Sequence, residues 1–79
     1  MNISVIHEPK AEKIQVTEDV LIVYLQDGRR LDVPLAWFPR LARATKKQLK
    51  NFRLIGDGVG IHWNEIDEDL SVSGLLLLH

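Results

Sequence analysis

The sequence predicts an α+β fold: a small antiparallel β-sheet with short helices packed on one face. Three observations predict it. Val20 to Leu25, VLIVYL, is a nearly continuous β-branched and aromatic run, the pattern of a central strand buried on both faces. Asp27-Gly28 follows it directly, and both residue types tolerate the positive φ of a tight hairpin. Thr45 and Ser71 stand before short segments with helical patterning, where their hydroxyls would cap a helix start. The 79 residues fit one small domain, 1–79.

Taken in order, the chain begins with Ile3 and Val5 alternating with polar residues, a short edge strand that Pro9 interrupts. Lys13 to Thr17 alternates weakly, with Ile14 and Val16 on one side, and Glu18-Asp19 reads as a tight turn. After the Val20 to Leu25 strand and its turn, Arg29 to Val33 returns, Leu31 and Val33 facing one way and Arg30 and Asp32 the other. Pro34 stops that strand. Pro39 suits the first position of a short helix, because its missing N–H is an orphan there in any case. Thr45 and Gln48 form a capping box for a helix from Lys46 to Asn51, with Ala44 and Leu49 at the staple positions. Phe52 to Ile55 is extended, Gly56-Asp57-Gly58 turns, and Val59 to Trp63 returns as a strand. Glu65, Asp67, Glu68 and Asp69 then read as an acidic loop before a final helix, Val72 to Leu77.

Composition narrows the class. At 46% hydrophobic the chain is apolar enough to fold, and without cysteine it has no disulfide and no thiolate chemistry. The start has no basic, apolar leader pattern, and the longest apolar run, Leu75 to Leu78, is far too short to span a bilayer. A soluble cytoplasmic protein is expected. The formal net charge of −1 conceals an asymmetry. From Arg40 to Arg53 every charged residue is basic; beyond Arg53 every one is acidic. Such blocks either form opposite faces or fold onto each other.

The runs VPLAWFPRLARAT, QLKNFRLIGDGVGIHW and DEDLSVSGLL resemble the bacterial family called domain of unknown function 2442 (DUF2442). The likeness lies in Pro34 to Leu41, Gly56 to Trp63 and Asp67 to Leu76, and extends from about Leu21 onward. The resemblance implies a small α+β fold with no established enzyme activity. It also implies relatives fused to a DNA-binding helix-turn-helix, and others encoded beside a small partner like a toxin–antitoxin pair. With 79 residues this chain is expected to lack the fused domain.

Several constellations bear on chemistry. His62 with Asp67, Glu68 and Asp69 has the residue types of a metal or acid–base site, but matches no zinc or calcium spacing. Gly56, Gly58 and Gly60 mimic a phosphate-binding loop without the strand-then-helix context it needs. No catalytic residue, metal ligand or cofactor site is assigned. The leading reading is a non-enzymatic protein-interaction module, an antitoxin-like or regulatory partner of a small bacterial protein, or one that self-associates. Its candidate contact residues are Trp37, Glu65, Glu68, Leu77 and Leu78, since one short helix has too little buried face for every leucine of the tail. The runner-up is a nucleic-acid-associated regulator using Arg40, Arg43, Lys46, Lys47 and Lys50. A small carboxylate-dependent enzyme is the third.

Overall fold

The computed structural model describes residues 8–78, so the strand expected at Ile3 and Val5 lies outside the described residues. The fold is α+β, as the patterning predicts, but its strands divide between two antiparallel sheets of three strands each rather than forming one.

The first sheet is a meander of β1 (Ala11–Val16), β2 (Val20–Leu25) and β3 (Arg30–Pro34), in that spatial order. Its register explains the burial. Ile14, Val23 and Leu31 form one cross-strand row on the inner face; Val16, Leu21 and Val33 form the next. On the outer face Arg30 pairs with Asp32 along the strand, and Lys13 and Arg30 flank the Tyr24 ring at 4.7 and 5.8 Å. Ile22, between Gln15 and Asp32 on that same face, is nonetheless buried, which is why β2 reads as apolar on both sides. The hairpin turn uses Gly28 at φ 97°.

The second sheet contains β4 (Phe52–Ile55), β5 (Gly60–Trp63) and β6 (Glu68–Ser71). The expected acidic loop is therefore corrected. Only residues 64–67 turn, and Glu68–Ser71 is a strand. Acidic residues are depleted in strands, which hid it, but Leu70 alternates inward beside Ile61 while Asp69 and Ser71 face outward and are exposed.

Three short helices complete the fold: α1 (Pro39–Ala42), α2 (Lys46–Lys50) and α3 (Val72–Leu77). Pro39 takes the first helical position. The Thr45 hydroxyl accepts from Gln48 N at 3.1 Å and Gln48 Oε1 accepts from Thr45 N at 3.0 Å, the reciprocal capping box. The Ser71 hydroxyl accepts from Gly74 N at 2.9 Å. Helices this short have little stability alone. Leu41, Leu49, Val72 and Leu75 dock them on one apolar cluster shared with Leu21, Val23 and Val33 of the first sheet and Ile61 and Trp63 of the second.

The glycine-rich segment between β4 and β5 packs against the first sheet. Gly56, Asp57 and Gly58 have φ of 58°, 61° and 100° in succession. A Cβ on Gly58 would stand 2.3 Å from the Ala11 carbonyl oxygen, so the segment lies directly on the start of β1. Lys10 pairs with the Asp57 carboxylate at 3.2 Å, and the Gln26 side chain donates to the Asp57 carbonyl at 3.1 Å. Gly58 serves this close backbone approach.

Candidate functional site

A groove of about 770 Å³ opens between the β1–β2 turn, the end of β3 and the two helices α1 and α2. The folding of each wall follows from local chemistry. Thr17 closes the β1–β2 turn: its hydroxyl accepts from Val20 N at 3.0 Å and its backbone N–H donates to the Val20 carbonyl at 2.8 Å. The Asp19 carbonyl accepts from Leu35 N at 2.9 Å, tying the turn to the 3-10 turn Leu35–Trp37 after β3. On the other side the capping box sets the start of α2. The indole Nε1 of Trp63 then donates to the Leu49 carbonyl at 3.0 Å, satisfying an acceptor that the end of a helix leaves open.

The groove is apolar at its base and charged at its edges. Leu35, Leu41 and Leu49 are buried and form the floor. Glu18 and Asp19 project from the turn; Lys46 and Lys50, one helical turn apart, share a face of α2. All four are exposed, and none forms a salt bridge with another described residue. Sequence reasoning placed Lys46 and Lys50 in a basic block and Glu18-Asp19 in a turn. Nothing in the spacing joined the two, because the rest of the meander and α1 intervene.

The remaining basic candidates separate. Arg40 donates from Nη1 to the Asp67 carbonyl at 2.7 Å, so the basic and acidic blocks fold onto each other at this point. Asp67 is held at φ 51° in the β5–β6 turn. Arg43 caps the end of α1, and Lys47 is exposed in the last turn of α2, where a cation is favoured.

The candidate contact residues are also dispersed. Trp37 is 50% exposed on the 3-10 turn. Leu77 and Leu78 are 85% and 51% exposed, whereas Leu75 is buried and Leu76 packs against the core. Glu65 lies in the turn before β6 and α3 follows it, so the strand separates these acids from the C-terminal leucines along the chain. Glu68 is half-buried, and its carboxylate accepts from Asp69 N at 3.2 Å. None of Trp37, Glu65, Glu68, Leu77 and Leu78 lines the groove.

His62 and Asp69 are cross-strand partners on the outer face of the second sheet, with Nδ1 and Oδ1 2.5 Å apart. Arg53 stands opposite His62 on the other side, completing one row across the three strands. Among the described residues no three metal-ligating side chains come together. The Arg29 guanidinium holds Asp27 below the usual carboxylate range by hydrogen bonding, and Arg30 does the same to Asp32. Both arginines are raised in return.

Among the described residues no helix is long and apolar enough to cross a membrane. Curated proteins give no match to the chain. Two solved structures are similar to it. A crystal structure of a protein of unknown function from Rhodospirillum rubrum is 33% identical, with a TM-score of 0.80, covering 90% of this chain and 88% of that one. A solution structure of an uncharacterized protein from Chromobacterium violaceum is 26% identical, with a TM-score of 0.73; it covers 86% of this chain, which spans 64% of that protein. The family model described as protein of unknown function (DUF2442) matches residues 11–78, nearly the full length, and the chain belongs to that family.

Proposed function

We propose that this domain is a non-enzymatic protein-interaction module that receives a segment of a partner protein in the groove between the β1–β2 turn and α2. The observation that carries this reading is a buried leucine floor bordered by an acidic pair on the turn and a basic pair on α2. An apolar concavity with a few polar groups around it is the usual form of a recognition site. Catalysis asks for more: groups held by one another within hydrogen-bonding reach. Glu18 and Asp19 on the turn and Lys46 and Lys50 on α2 are exposed side chains, and the Thr17 hydroxyl is engaged with its own turn. In the antitoxin-like or regulatory form of this reading, the partner is a small bacterial protein whose activity the domain holds in check.

Site-specific photo-crosslinking tests the proposal. Ala36 is exposed and lines the groove, while Asp32 is exposed on the outer face of the first sheet. A photoreactive residue at Ala36, in cells that naturally express the protein, is expected to give a discrete protein adduct that the same group at Asp32 does not. Equal labelling from both positions, or no adduct from Ala36, contradicts it.

A further inference from the structure

The edges of the groove carry enough chemistry to specify what lies in it. Resting on the reading above, we infer that the bound segment is a peptide stretch with one apolar anchor, a basic residue on one side of it and an acidic residue on the other. The anchor occupies the floor of Leu35, Leu41 and Leu49. Its basic neighbour meets Glu18 and Asp19, and its acidic neighbour meets Lys46 and Lys50.

Complementarity of charge carries the inference. Glu18 and Asp19 border the leucine floor on the turn side and Lys46 and Lys50 on the α2 side, all four exposed and without a salt bridge to another described residue. Two like charges adjacent in a turn repel each other, as do two on one helix face, so each pair is relieved by an opposite charge between its members. A ligand edge of uniform sign satisfies one pair and opposes the other. Nucleic acid, uniformly anionic, would meet Lys46 and Lys50 at the expense of Glu18 and Asp19. A segment carrying both signs satisfies both. The division of labour is then ordinary for an interface: the apolar floor holds the segment, and the exposed charges select it and speed its approach.

Short synthetic peptides test this on the intact chain. One carries a central leucine with lysine on one side and aspartate on the other; a second has lysine on both sides; a third replaces the leucine of the first by serine. Fluorescence anisotropy at low salt measures each against the wild type and against a Lys46→Glu/Lys50→Glu variant, whose altered residues are exposed and leave the core intact. The wild type is expected to prefer the Lys/Asp peptide to the Lys/Lys peptide on the order of tenfold, from two solvent-screened pairs. The variant is expected to reverse that preference, and the serine peptide to bind neither protein. Equal affinity for both leucine peptides, unchanged in the variant, overturns the charge rule while leaving a leucine-dependent groove standing. Failure of both leucine peptides to bind, or binding unaffected by serine, overturns the rule and the groove reading together.

Discussion

The indole N–H of Trp63, on the central strand of the second sheet, donates to the carbonyl of Leu49 in α2 at 3.0 Å, and the whole indole is buried. One hydrogen bond thus fixes the helix that carries Lys46 and Lys50 to a strand of the opposite sheet. The bond also supplies the partner that a buried tryptophan requires. Trp63→Phe removes the donor, leaves the Leu49 carbonyl unsatisfied and thins the packing against Phe52, whose ring lies 6.2 Å away. A loss of about 1–3 kcal/mol is expected in a denaturant melt. Stability unchanged within error would remove this bond from the support of the groove.

The capping box makes a smaller, separable contribution. Thr45→Ala takes the acceptor from Gln48 N and should cost about 1 kcal/mol. Combined with Gln48→Ala, the two losses should fall short of additive, because each residue caps the other. Full additivity in a double-mutant cycle would contradict reciprocal capping.

Two glycines with similar φ give contrasting predictions. Gly28 has φ 97° and an added methyl group there would meet open space, while Gly58 has φ 100° with the Ala11 backbone in the way. Gly28→Ala should cost about 1–2 kcal/mol, from the positive φ alone. Gly58→Ala should cost more, because the obstructing atoms belong to the main chain of β1. Thermal melts of the two variants compare them directly, and equal losses would show that the segment yields.

These examples also mark what was legible in the sequence. The hairpin around Asp27-Gly28 and the Thr45 box rest on neighbours in the chain, so their residue types announce them. The Trp63–Leu49 bond has a backbone acceptor, which leaves no trace in residue identity. Strand β6 was obscured because its pattern of Glu68, Asp69, Leu70 and Ser71 offers one apolar residue, and its strand character comes from pairing along β5, which residue identity does not announce. The groove was hidden for a related reason. Its charges were visible as a turn and a basic block, but the hydrogen bond from Leu35 to the Asp19 carbonyl that gathers its walls is again to the main chain.

The hairpin ion pairs predict a weak acid dependence. Asp27 and Asp32 titrate below the ordinary 3.8 because Arg29 and Arg30 favour their charged forms. Their stabilisation is present above 3.8 and is lost as pH falls through the lower folded values. The Asp27→Asn/Asp32→Asn variant should therefore be slightly less stable than the wild type at neutral pH, with the two curves converging in strong acid. Both carboxylates are exposed, so the gap should also shrink with salt. A gap that widens on acidification would contradict this account of the pairs.

Leu77→Ser/Leu78→Ser separates the C-terminal leucines from the groove. Both are exposed, so stability should stay within about 0.5 kcal/mol of the wild type. Affinity for the Lys/Asp peptide should also be unchanged, since neither residue lines the groove. A fall in that affinity, measured by anisotropy, would place the recognition surface at the C-terminal leucines instead.

The most direct test of the groove as the recognition surface is methyl NMR of the intact chain during titration with the central-leucine Lys/Asp peptide. The account predicts saturable shifts at Leu35, Leu41 and Leu49, with Leu77 and Leu78 unmoved. Shifts confined to Leu77 and Leu78, with the groove leucines unchanged, would contradict it.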